Sequence, residues 1–139
     1  MFEHTTLMRS NTSQYRPAES FYIHNANVHG YTNQGQILGA GPGPGSDMDY
    51  LSFDWIKGTK IKNLFIQRIN LNEDYFIRAV RDKARHDSEY TIGYRHTQTF
   101  DNFVFSGQLL TSYRFNRYYV ESDDLFNLGI GVTVRYLLK

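Results

Sequence analysis

The stretch from Leu125 to Leu138 alternates more regularly than any other part of this chain. Phe126, Leu128, Ile130, Val132, Val134 and Tyr136 fall at one parity, and Asn127, Gly129, Gly131, Thr133 and Arg135 at the other. A strand has period two, so such a segment presents one apolar and one polar face. Strands of soluble sandwiches usually run about 5–6 residues, whereas a strand that crosses a bilayer needs roughly 9–11. This segment is long enough for the second role.

Composition agrees with strands. Eleven Tyr and ten Phe stand beside few Ala, and aromatic side chains favour the pleated, half-buried surface of a sheet. The length suits one domain, residues 1–139. No apolar run approaches 18 residues, which excludes a membrane-spanning helix but not a barrel, whose strands are half polar. The absence of Cys removes disulfides and thiolate metal sites. A net charge of +1, spread along the chain, argues against nucleic acid as a main partner. Met1 to Thr6 has neither a basic nor an apolar leader region, so no secretory signal is expected at this start.

In chain order, Phe2–Ser10 reads as a short strand. The chain from Asn11 to Asp47 then loses its periodicity and fills with Asn, Gly, Ser and Pro, which predicts one long loop; loops beyond about 12–15 residues are usually functional or disordered. Asp49–Ile56 places Leu51, Phe53 and Trp55 on one face. After turn chemistry at Lys57–Lys60, Asn63–Leu71 is extended with its facing open, because one register turns Gln67 outward and the other Arg68. Asn72–Ser88 reads as a charged loop, with a helix at Ile77–Arg85 as the lesser alternative. Glu89–Thr97 directs Tyr90, Ile92 and Tyr94 to one side. Phe103–Arg117 does the same with Phe103, Phe105, Leu109, Tyr113 and Phe115. The expectation is an all-β, antiparallel meander of about six long amphipathic strands, a partial transmembrane β-barrel with one long surface loop. Its connections alternate long and short, as in outer-membrane barrels. Six strands are fewer than the about eight of the smallest usual barrel, so both edges would need further strands.

The loop carries a distinctive run. His29, Gly30, Tyr31, Thr32, Gly35, Leu38, Gly39, Ala40, Gly41, Gly43, Pro44, Gly45 and Ser46 stand in fixed order. Downstream come Trp55 and Gly58, Arg68 with Asn72, Asp74 and Tyr75, and the stretch Ser112–Asn116. Together these resemble the Wzi family of capsule assembly proteins, especially its Bacteroidetes-type members, over the C-terminal part of that family. Gly131, Val134 and Tyr136 also resemble the C-terminal signal of bacterial outer-membrane barrels. The resemblance implies an outer-membrane β-barrel that attaches capsular polysaccharide at the cell surface. Its partners would be that polysaccharide, outer-membrane lipid and the remaining strands of a parent barrel, of which this chain would be a truncated fragment.

The same run does not fit a phosphate loop, because no Gly-Lys-Ser/Thr or βαβ context follows. Histidines 4, 24, 29, 86 and 96 form no ligand pair at helical or tight-turn spacing, so neither metal nor cofactor is expected. Asp47, Asp49 and Asp54 could serve acid/base chemistry, but carboxylates near strand ends are more often solvated or paired, and no enzyme is inferred. Sugar rings stack on aromatic faces, and amide side chains supply planar partners for hydroxyls. Tyr22, His29, Tyr31 and Asn33 are therefore the expected polysaccharide contacts. Tyr113, Tyr118, Tyr119 and Tyr136 suit the aromatic girdle of a barrel. The alternative function is a porin-like channel lined by Arg95, Gln108, Thr133 and Arg135. A soluble β-sheet ligand binder is the third reading.

Overall fold

The computed structural model describes residues 1–9, 32–33, 36–37, 41–80 and 84–137. In chain order the elements are β1 (Phe2–Thr6), β2 (Thr32–Asn33), β3 (Gln36–Ile37), β4 (Asp47–Lys57), β5 (Lys60–Asn70), α1 (Glu73–Ala79), β6 (Ser88–Phe100), β7 (Phe103–Phe115), a 3-10 turn (Arg117–Tyr119) and β8 (Leu125–Tyr136). Among the described residues the chain is all-β apart from α1 and the 3-10 turn. One antiparallel sheet has the order β1-β4-β5-β6-β7-β8, and β2 pairs with β3 in a separate hairpin. The large sheet is open, with β1 and β8 at its edges. Five of its strands run 11 to 13 residues, while β1 has only 5.

Two connections are tight. Lys57 pairs with Lys60 across Gly58-Thr59, and Phe100 pairs with Phe103 across Asp101-Asn102. Gly58 takes φ 58°, a left-handed value that costs glycine nothing, and Asp101 takes φ 48°, where a short polar side chain is tolerated. The other three strand pairs are joined from the opposite end, where Thr6 faces Asp47, Asn70 faces Ser88 and Arg114 faces Leu125, so the sheet has a tight-turn end and a loop end.

Pairing decides which side chains share a face. Leu51, Ile66, Ile92, Thr111 and Leu128 lie in one cross-strand row, and Phe53, Leu64, Tyr94, Leu109 and Ile130 in the next but one. The open choice in β5 thus falls with Leu64, Ile66 and Arg68 on the apolar face, and Asn63, Phe65 and Gln67 on the polar one. The apolar face is uncovered: along β8 its side chains are 55 to 78 % exposed. Among the described residues only Leu7, Phe65 and Phe76 are buried hydrophobics, so no apolar core lies under the sheet. Aromatic rings collect at both ends of that face. Tyr90, Tyr113 and Phe115 touch at the loop end (4.7 to 5.9 Å between centroids), and Phe100, Phe103, Phe105 and Tyr136 at the tight-turn end (5.1 to 6.1 Å).

The polar face is knitted side chain to side chain. Asn63 donates to Asp54 (2.8 Å), Arg95 to Gln108 (2.9 Å) and Asn127 to Ser112 (3.3 Å), while the Thr97 and Ser106 hydroxyls lie 3.0 Å apart. Cross-strand polar pairs of this kind stabilise a sheet modestly and satisfy their own groups.

The connection between β5 and β6 departs from expectation. It contains a helix, but at Glu73–Ala79 rather than Ile77–Arg85. Glu73 and Asp74 occupy the first turn, where acidic groups complement the helix dipole. A helix this short is marginal by itself, and tertiary contact sustains it: Phe76 packs on His86 (3.9 Å between ring centroids) and on Tyr119 (5.9 Å).

Candidate functional site

The loop end of the sheet carries the elaborate chemistry. Of the residues expected to contact polysaccharide, Tyr22, His29 and Tyr31 lie outside the described residues. Asn33 closes β2 opposite Gln36.

The Gly-Pro run ends as a docking segment. Leu7 donates its N–H to the Ser46 carbonyl (2.8 Å), Gly45 donates to the Leu7 carbonyl (3.2 Å), and Glu73 donates to the Gly45 carbonyl (2.7 Å). The Asn72 N–H donates to the Ser46 hydroxyl (3.1 Å). Gly45 has φ 67°, and a Cβ there would lie 3.0 Å from Asn72 Oδ1 and 3.1 Å from Asp74 Cβ. Both backbone conformation and space therefore require glycine at this position. Gly43 also takes positive φ, at 82°.

Three buried carboxylates organise the cap. Asp87, 2 % exposed, accepts both arms of the Arg114 guanidinium at 2.7 Å and the Tyr118 N–H at 2.9 Å. That bidentate geometry is among the strongest a carboxylate can have. Glu73 faces His86 Nδ1 at 3.0 and 3.1 Å. Asp74 accepts the Arg9 N–H at 2.8 Å. A buried charge is tolerable only with such partners. Tyr119 closes the arrangement by donating to the Leu71 and Asn72 carbonyls (2.8 and 2.9 Å). Burial, reinforced by the charges of Asp87 and Glu73, pushes its phenol up to about 12, which keeps the hydroxyl a donor.

On this frame Tyr118 projects outward, 69 % exposed, with the guanidinium groups of Arg114 and Arg117 each 5.4 Å from its ring centre. Tyr118 and Tyr119 both sit at positive φ (58° and 63°), uncommon for bulky residues and held here by the hydrogen bonds around them. These two tyrosines belong to the loop cap, not to the girdle expected for them. Tyr113 and Tyr136 lie among the ring contacts at the two ends of the apolar face. A cleft of about 630 Å³ opens beside the cap, lined by His86, Ser88, Tyr90, Tyr113, Phe115 and Asn116. Its mix of rings, an amide and a hydroxyl is suited to stacking and hydrogen bonding with a sugar.

Sequence reasoning missed this cleft and the cap beside it because their parts are distant along the chain: Arg114 and Asp87 are 27 positions apart, and Tyr119 and Leu71 48. The stretch Ser112–Asn116 was the one local signal, since it supplies Tyr113, Arg114, Phe115 and Asn116 together. The acid/base candidates are engaged elsewhere. Asp47 and Asp49 both meet Arg68 at 2.8 Å, and Asp49 meets His4 Nδ1 at 2.8 Å. Asp54 accepts from Asn63 on the polar face.

No protein-family model matches this chain, and no curated protein or solved structure matches it either.

Proposed function

We propose that this chain is the C-terminal part of a Wzi-like outer-membrane β-barrel that attaches capsular polysaccharide, with its loop end facing outward. The uncovered apolar face, bounded by aromatic rows and backed by a hydrogen-bonded polar face, carries this reading. A soluble sheet with such a face would need a second layer to bury it, whereas lipid covers it directly. From Phe126 to Tyr136, at about 3.4 Å per residue and ~45° tilt, the face rises on the order of 24 Å, the height of an outer-membrane apolar band. The open edges at β1 and β8 would be closed by other strands of the barrel, because unpaired backbone in lipid costs several kcal/mol per group.

The outward role follows from the cap. Rigid aromatic and amide groups at the loop end, with Gly45 and Ser46 docked beside them, offer a polysaccharide stacking and hydrogen-bonding surface without a chemical step. In the organism that encodes the chain, deleting its coding sequence should shed capsular polysaccharide into the medium with the total amount unchanged. Capsule that stays cell-bound after deletion would overturn the proposal.

A porin-like channel is the second reading, favoured by the Arg95–Gln108 pair on the polar face. Conductance of the purified barrel in planar bilayers distinguishes the two: ion currents unaffected by added polysaccharide favour the pore.

A further inference from the structure

At the tight-turn end, the apolar face changes character over two strands. β4 contributes Trp55 and Lys57 to it, and β5 contributes Lys60 and Lys62, paired so that Lys57 faces Lys60 and Trp55 faces Lys62. All four are exposed. The carboxylates that share this face on β4, Asp47 and Asp49, are at the opposite end and are engaged by Arg68. Three lysines therefore form a ridge without a compensating acid on its own face. A cleft of about 840 Å³ runs along it, walled by Trp55, Tyr94 and the three lysines. Asp54 also reaches the cleft around the β4 edge, but its carboxylate is engaged by Asn63 at 2.8 Å.

We propose that this ridge is a binding site for the phosphate of anionic phospholipids in the leaflet at the tight-turn end. The inference rests on the membrane-facing reading above. Long lysine stems can lie along apolar surface while their ammonium groups reach the headgroup layer, and a tryptophan and a tyrosine beside them belong at that depth. Positive charge with no acid on the same face selects an anionic headgroup over a zwitterionic one. Lys57 and Lys60 are also direct cross-strand partners, where like charges are unfavourable, and a phosphodiester relieves that repulsion.

The test uses the full 139-residue chain, diluted from urea into vesicles of phosphatidylcholine alone or of an equimolar mixture with phosphatidylglycerol. Trp55, the single tryptophan, sits on the ridge and reports the outcome through its blue shift and its quenching by brominated lipid. The wild type should partition into both vesicles and prefer the anionic ones by on the order of a hundredfold at low salt, about fivefold for each lysine. The triple variant Lys57→Gln, Lys60→Gln, Lys62→Gln should keep the phosphatidylcholine binding and lose the preference, while the triple change to Arg should retain it. A glutamine variant with the wild-type preference overturns the ridge and leaves the membrane reading standing. A wild type that binds the surface of neither vesicle shows that the exposed apolar face has no affinity for lipid and overturns the membrane reading itself.

Discussion

Phe65 lies across Gly93, its direct cross-strand neighbour, and closes the gap the glycine leaves in the polar face. A Cβ built on Gly93 would overlap the Phe65 ring. The ring is 3 % exposed, stacks on Tyr50 at 5.6 Å and carries the Arg95 guanidinium 4.7 Å from its centre. An aromatic covering a strand glycine fixes register, because no other alignment of β5 and β6 provides that space. Gly93→Ala should therefore destabilise the folded chain by about 1–3 kcal/mol. Adding Phe65→Ala should cost less than its effect alone, since the clash is then gone. Urea midpoints of the two single variants and the double variant check this; strictly additive losses would show that the two residues do not interact.

The membrane reading makes the two faces of β8 unequal. Ile130→Arg places a charge in the middle of the apolar face and should cost the parent barrel about 2–4 kcal/mol in lipid vesicles. Thr133→Arg, on the polar face, should cost little. Folding titrations in vesicles measure both. Equal penalties at the two positions would contradict a lipid-covered face.

Asp87 holds Arg114 and the Tyr118 amide together. Asp87→Asn removes the charge and leaves the half-buried guanidinium without its counter-ion, a loss on the order of 3 kcal/mol. The 116–124 loop should become cleavable by protease well before the strands do. Arg114→Gln added to Asp87→Asn should restore part of the loss. A loop that remains protected in Asp87→Asn would show that this pair does not hold the cap.

Gly45 and Gly41 belong to one glycine-rich run but differ in geometry. Gly45→Ala should destabilise the cap by about 1–2 kcal/mol, from the left-handed backbone together with the crowding by Asn72 and Asp74. Gly41→Ala, with nothing within 4 Å of the added Cβ, should be nearly silent. Thermal melts of the two variants make the comparison, and a larger loss at Gly41 would reverse the assignment.

Tyr119 supplies a pH signature. Its phenol ionises at about 12 in the fold against an ordinary value near 10, so the folded state favours the neutral hydroxyl. The resulting stability is complete below pH 10 and is lost as pH rises from 10 towards 12. Tyr119→Phe should be less stable than the wild type by about 1 kcal/mol at pH 8, and the difference should close and then reverse as pH rises from 10 towards 12. Urea midpoints across that window test the sign; a gap that widens with pH would refute it.

The period-two alternation of β8, β7 and β6 depends only on which residues are adjacent in the chain, so the all-β class, the meander and the sidedness of those strands were legible from residue order. The long and short connections were legible for the same reason, since glycine, asparagine and aspartate mark turns locally. In β5 both parities hold apolar residues: Leu64 and Ile66 at one, Phe65 and Ile69 at the other. Only pairing with Leu51 and Ile92 put Ile66 on the apolar face and sent Phe65 under Arg95. The helix came out at Glu73–Ala79 because Phe76 found His86 and Tyr119, contacts that no local propensity encodes. The cap depended wholly on tertiary structure, because Asp87 and Arg114 meet only after β6 and β7 align Ser88 with Phe115. Tyr119 likewise reaches the Leu71 carbonyl only once the chain has folded back across three strands.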